Sequence, residues 1–253
     1  MKDHMIRILS RDGSLRASSA VTTTLVAEIC RLQGADPTAA VALGRLVTGA
    51  ALMGSLLKGE QRLAVMIEGN GPLQKLHAET DAAGHVRGSV KNPVSGLPLR
   101  DGEFDVAGAI GKAGFLHVIK DLGLKEPYRG MVQLYRSTVA EDLAYYFTTS
   151  EQTPSTVALG AYLEPDGSIS AAGGFVVQAM PGADETTLSL MEERLLALPP
   201  TTTLLREGLG PVHILERIFD GIPFTIQGET DLFFRCSCSR RQVQRMLQAL
   251  GAE

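Results

Sequence analysis

The stretch "RLAVMIEGNGPLQKLHAETDAAGHVRGSV", residues 62–90, decides the fold class. Three apolar-rich runs are separated by Gly69-Asn70-Gly71-Pro72 and by residues 81–85, the pattern of an antiparallel meander. Short extended runs near residues 115–119, 130–134, 157–163 and 173–180 continue it. Upstream, residues 4–19 read as strand, Asp12-Gly13 turn and strand. Helical patterns interrupt these strands one at a time: residues 21–32 closed by Gly34, a small-residue run from Pro37 to Lys58 capped by Asp36, and the stretch 137–155, opened by Ser137 or Thr138 with Val139, Leu143, Tyr146 and Phe147 on one face. Runs of strands broken by isolated helices predict an α+β fold, antiparallel β-sheets packed with helices, rather than a doubly wound sheet.

A boundary falls at Pro181-Gly182. Beyond it the pattern is helical, with Leu188, Met191, Leu195 and Leu198 on one stripe and breaks at Pro199-Pro200 and Gly210-Pro211. Helices this short and this apolar do not stand alone, so they must dock on the first block or on a second chain. An extended run "IPFTIQ" follows Gly221. The chain thus divides into an α+β block (1–180), a helical linker (181–231) and a small C-terminal part (232–253).

Composition excludes several function classes. Charged residues make up 21% of 253 and the net charge is -4, without the basic excess of a nucleic-acid or anionic-membrane binder. Trp is absent and aromatics are 5%, which leaves few base-stacking platforms. Three cysteines do not make a secreted disulfide framework, and the N-terminal segment lacks a signal-peptide pattern, so a cytoplasmic protein is expected. Residues 39–57 approach the length of a membrane span but carry Arg45, and a buried core helix is the expectation. "GAIGKAG" at 108–114 lacks the spacing and the Ser or Thr of a phosphate loop and reads as a turn. The histidines show no ligand spacing, and Cys30 reads as a small buried hydrophobe.

The chemistry concentrates in "FRCSCSRRQVQRML", residues 233–246. Ser239 and Gln242 fit a capping box, so Cys238 lies just before a helix N-terminus, with Arg235, Arg240, Arg241 and Arg245 nearby. Helix dipole and arginines favour the thiolate, which makes Cys236 and Cys238 candidates for metal ligation or redox chemistry. A Cys-x-Cys pair supplies two of the four ligands of a closed zinc site. One alternative is a thiol-disulfide oxidoreductase or isomerase using the two as a dithiol, although the spacing is not the usual Cys-x-x-Cys. Another is a zinc-ribbon-like nucleic-acid binder using the four arginines.

Nearly end to end, the sequence resembles the heat-shock protein 33 family of redox-regulated holdase chaperones. The resemblance rests on residues 44–88, on "YRGMVQL" (128–134), "YYFTTSEQTPS" (145–155), "AAGGFVVQAMPGA" (171–183) and "CSCSRRQVQRMLQALG" (236–251), in this order. It implies an ATP-independent, non-enzymatic chaperone with a substrate-interacting domain, a helical linker and a C-terminal zinc domain. In that scheme reduced cysteines hold one zinc and the chaperone is quiet. Oxidation releases zinc, unfolds linker and zinc domain, yields dimers and exposes apolar surface to unfolding clients. Cys236 and Cys238 match the family's first cysteine pair, as metal ligands and redox switch. The second pair, Cys-x-x-Cys, is expected about thirty residues downstream, beyond Glu253. The site within these 253 residues is therefore expected to be partial. Client contact is expected on Leu188, Met191, Leu195 and Leu198, and a homodimer with crossed linker helices is expected. Neither nucleic acid nor membrane is expected as a partner.

Overall fold

The computed structural model describes residues 1–236, 239–249 and 251. It begins with a hairpin, β1 (His4–Ser10) and β2 (Leu15–Val21), whose turn uses Gly13 at φ +76°. Helices α1 (Thr23–Gln33) and α2 (Pro37–Met53) follow. The meander predicted over residues 62–90 is β3 (Arg62–Gly69), β4 (Lys75–Asp81) and β5 (His85–Val90). After it come α3 (Val106–Ile110), β6 (Gly114–Asp121), β7 (Tyr128–Gln133), α4 (Ala140–Ser150), β8 (Ser155–Leu163) and β9 (Ile169–Ala179). Of the segment 181–231, the first part carries α5 (Glu185–Ala197), α6 (Thr201–Arg206) and α7 (Pro211–Ile218). Its last part is a strand, β10 (Phe224–Asp231), followed by β11 (Phe233–Phe234) and α8 (Arg240–Ala249).

Two sheets result. The first, in the order β10-β1-β2-β9-β8, is antiparallel throughout. The second runs β11-β5-β4-β3-β6-β7, antiparallel except for β11, which lies parallel to β5. Helix α2 packs against strands of both sheets, and α6 and α7 cover the opposite face of the first. The layers are therefore sheet, helices, sheet, helices. The described residues leave the outer face of the second sheet uncovered, and β4 alternates half-buried and buried residues accordingly. β9 lies between two helical layers, and eight consecutive residues, Ala171 to Gln178, are buried. Its side chains alternate between two cores: Ala172 and Val176 toward α2, Phe175 and Val177 toward α6 and α7.

Fifteen of the 17 residues of α2 are buried, which makes it a core helix despite a length and hydropathy compatible with a membrane span. Asp36 starts it as expected, its Oδ1 accepting from Ala39 N–H at 2.8 Å. Its Oδ2 accepts from Ser95 N–H at 2.6 Å, which ties the helix to the loop after β5. Gly44 and Gly49 let neighbours come close: a Cβ on Gly49 would lie 2.5 Å from the Leu143 side chain of α4. Cys30 is buried as expected, and burial pushes its thiol up to about 12, so it stays protonated near neutrality.

The start of α4 differs from the reading that Ser137 or Thr138 alone opens it. Thr138 Oγ1 does accept from Glu141 N–H at 3.2 Å. The larger share falls to buried Asp142, whose Oδ1 accepts from the N–H groups of Tyr135, Arg136 and Ser137 and whose Oδ2 accepts from Val139. These bonds hold Ser137 and Val139 at positive φ, a conformation that such residues adopt only under outside constraint. The stretch 108–114, expected as a turn, opens inside the short α3. Gly111 then turns at φ +95° against the 69–71 loop, with Gly71 N–H donating to the Ile110 carbonyl at 2.8 Å.

Candidate functional site

Helices α5 to α7 close over the outer face of the first sheet. Ile6, Ile8, Leu15, Phe175 and Val177 of the sheet form one buried cluster with side chains from all three helices. The helices are held unequally. Ile214, Leu215 and Ile218 of α7, with Phe219 after it, are each at most 2% exposed. By contrast α5 buries Met191 alone. Each fully buried side chain of this size stabilises docking by about 2 kcal/mol, so α7 is anchored several times more firmly than α5. The predicted stripe is the docked face of α5: Met191 is buried, and Leu188, Leu195 and Leu198 are half-buried against the same cluster. Leu196, on the opposite side, is 88% exposed. The stripe is thus covered, and it becomes accessible only when α5 lifts.

Between α7 and the cysteines the chain stitches the two sheets together. β10 pairs with β1 along its length, from Phe224 opposite Ser10 to Asp231 opposite His4. Leu232 is buried, and its N–H donates to the Asp3 carbonyl at 3.0 Å. Immediately afterwards β11 joins the second sheet, with Phe233 N–H donating to Gly84 O at 3.1 Å and Arg235 N–H to Val86 O at 3.2 Å. Cys236 follows directly and is exposed. Cys238 lies outside the described residues. Ser239 caps α8 as expected, its Oγ accepting from Gln242 N–H at 3.2 Å, and α8 is exposed along its whole length.

His85 is the fastener of this segment. Its Nδ1 lies 2.8 Å from Asp81 Oδ2 and its Nε2 lies 2.9 Å from Arg235 Nη1. Its ring meets Phe233 edge-on with centroids 4.6 Å apart. Arginine has only donors to offer, so Nε2 accepts and the ring proton sits on Nδ1, donating to Asp81. Of the four arginines expected around the cysteines, Arg235 is thus engaged by the second sheet, while Arg240, Arg241 and Arg245 are exposed on α8. Sequence reading missed His85 because nothing local pairs it with residue 235; only the parallel strand brings them together.

Partial burial raises the Asp81 carboxyl, but the His85 side chain and the N–H groups of His85 and Ala83 outweigh it and hold Asp81 below the usual carboxylate range. A depressed carboxylate adds stability above its unfolded value of about 3.9, lost as pH falls through its lower folded value. The fastening of β11 is therefore expected to weaken below about pH 4. Exchange of the Phe233 and Arg235 amides reads this directly. If these amides exchange no faster at acid pH relative to those of β3, Asp81 does not hold the strand.

Among the described residues, no three His, Cys, Asp or Glu side chains converge as a cation site. The donor chemistry of a Cys-x-Cys pair suits zinc, with Cys236 as one of the thiolates that would hold it. The geometry instead presents an apolar core under a weakly held helix, joined through β10 and β11 to a cysteine.

Comparison with known proteins agrees with this architecture. The family model described as Hsp33 protein matches residues 3–253. The chain belongs to the Hsp33 family. It is 69% identical over 253 residues to a 33 kDa chaperonin of Syntrophotalea carbinolica, covering all of this chain and 88% of that protein. A 33 kDa chaperonin of Geobacter sulfurreducens is 53% identical over 251 residues, covering 99% and 83% of the two chains. The crystal structure of a 33 kDa chaperonin (heat shock protein 33 homolog) from Thermotoga maritima superposes with a TM-score of 0.91 at 35% identity, covering 98% of this chain and 85% of that one. Membership in this family carries a chaperone function, and the α+β fold is that of the solved Hsp33 homologue.

Proposed function

We propose that this Hsp33 chain is an ATP-independent, redox-regulated holdase of the cytoplasm that binds unfolding proteins under oxidative stress. The observation that carries the reading is the covered apolar cluster beneath α5 to α7, held at α5 by Met191 alone among fully buried side chains. Clients bind the apolar surface that undocking exposes, including Leu188, Met191, Leu195 and Leu198. Cys236 and Cys238 form the switch and supply two thiolate ligands to zinc, which contributes folding energy to the small domain around it when bound. Oxidation of these thiols withdraws that support. Because Cys236 follows β11 directly, its disorder transmits to β11 and β10 and on to the helices before them. Two chains with undocked helices cover one another as a homodimer.

The test is light scattering of a thermally unfolding client without nucleotide, with the chain kept reduced or treated with peroxide, beside an insulin-reduction assay. Suppressed scattering at near-stoichiometric ratios, with no turnover of insulin, is expected. In the variant carrying Cys236→Ser and Cys238→Ser, protection should no longer depend on peroxide. Catalytic insulin reduction without client protection would make the chain a thiol-disulfide oxidoreductase instead.

A further inference from the structure

A cavity of about 170 Å³ lies where the two sheets approach each other at the C-terminal end of α2. Its walls are largely apolar, with Leu56, Leu122 and Phe147 among them, yet three cations line it: Arg7 of β1, Arg16 of β2 and Lys120 of β6. Among the described residues Glu151 is the one carboxylate in the lining, and it is already bonded to Lys120 at 2.5 Å. The lining therefore carries an excess of two positive charges inside apolar walls, where charges interact more strongly than in water.

Each arginine is held in place by hydrogen bonds through only some of its nitrogens. Arg7 Nη1 donates to the Ser55 carbonyl at 2.8 Å and Nη2 to the Gln227 carbonyl at 3.4 Å, while its Nε is buried without a hydrogen-bond partner. Arg16 Nε donates to Gln178 Oε1 at 2.8 Å, and Gln178 is itself held by Ser155 Oγ at 2.8 Å. Burial holds the Arg16 guanidinium below its ordinary pKa; Glu151 opposes this and the charge of Arg7 adds to it. Ser18 and Ser55 add two hydroxyls, 3.1 Å apart. A buried donor with no acceptor costs about 1–3 kcal/mol and neighbouring guanidiniums repel, so the arrangement is explained if it serves a ligand.

We propose that this cavity is a binding site for a phosphate group, as inorganic phosphate or a phosphomonoester. A phosphate dianion matches the excess of two charges. Its tetrahedral oxygens reach donors arriving from several directions, whereas a planar carboxylate is satisfied by one guanidinium fork. Because β1, β2 and β9 of the first sheet and β3 and β6 of the second all contribute lining residues, the ligand bridges the sheets. Its binding stabilises the folded chain by mass action.

Thermal unfolding of the intact chain with rising inorganic phosphate, phenyl phosphate, acetate or chloride at matched ionic strength tests this. Phosphate is expected to raise the midpoint saturably, and acetate and chloride are not. A stronger response to phenyl phosphate assigns the site to phosphomonoesters; an equal or weaker one assigns it to the free anion. Arg16→Gln should weaken binding about tenfold or more, and Arg16→Lys, which keeps charge but loses the fork, by less. Lys75→Gln, in an exposed ion pair with Glu68, should leave binding unchanged. Phosphorus NMR titration of any variant whose unfolding midpoint is altered separates binding from folding. The proposal fails if phosphate does no more than chloride, if acetate acts as well, or if Arg16→Gln binds phosphate as the parent does.

Discussion

Met191→Asp is expected to free helix α5 and to turn the reduced chain into a client-binding species without oxidant. Met191 is 3% exposed and is the one fully buried side chain of its helix, so docking rests on it. Truncating a buried Met costs about 2–5 kcal/mol. An aspartate left there without a partner costs several more, which the chain avoids by letting the helix leave. The first sheet and α7, with Ile214, Leu215 and Ile218 still buried, should remain folded. The expected result is a several-fold rise in binding of an apolar dye and suppressed client scattering in reductant, with the strand content unchanged by circular dichroism. Leu196→Asp is the control, since that side chain is 88% exposed and a surface change of this kind costs less than about 0.5 kcal/mol. If hydrogen exchange shows α5 released and client binding does not rise, the surface beneath it is not the client site.

Gly84→Val is expected to detach the cysteine segment from the second sheet. Gly84 turns at φ +82° between β4 and β5, and a Cβ there would sit 2.0 Å from the Asp231 carbonyl oxygen and 3.0 Å from Thr230 Cγ2. The obstacle is backbone, so the junction of β10 and β11 has to move by roughly an ångström or more to reach ordinary contact. With it go the bond from Phe233 N–H to Gly84 O, the pairing of β11 with β5 and the contact of Phe233 with His85. The left-handed backbone adds about 1–3 kcal/mol for a β-branched residue. A total destabilisation of about 3 kcal/mol or more follows, concentrated where the chain joins the two sheets. Native-state exchange at the Phe233 and Arg235 amides should rise about a hundredfold, against little change in α2. Gly13→Ala has a similar φ of +76° but nothing within 4 Å, and should lose only the conformational part, about 1 kcal/mol. Equal effects of the two substitutions would show that crowding at Asp231 does not decide the docking of the cysteine segment.

The fold class was legible because its signals are local. Alternation in β4, the Gly69–Pro72 turn, the Asp36-Pro37 start of α2 and the Ser239 cap of α8 each depend on residues within a few positions, and each stands where periodicity places it. The start of α4 was only half legible, since the side chain that satisfies the backbone before the helix, Asp142, lies inside it.

By itself the sequence determined the alternation of strands and single helices, the burial of α2 and of Cys30, the docked stripe around Met191 and the cysteine pair beside a capped helix. These are properties of spacing, hydrophobicity and capping, which act over one or two turns of chain. Tertiary structure alone decided that residues 224–231 complete the first sheet, that β11 runs parallel to β5, and that His85 links Asp81 to Arg235. It also brought Arg7, Arg16 and Lys120 to one cavity. Strand pairing and charge convergence join residues far apart along the chain, 150 positions for His85 and Arg235, and no local pattern encodes which partner the closed fold supplies.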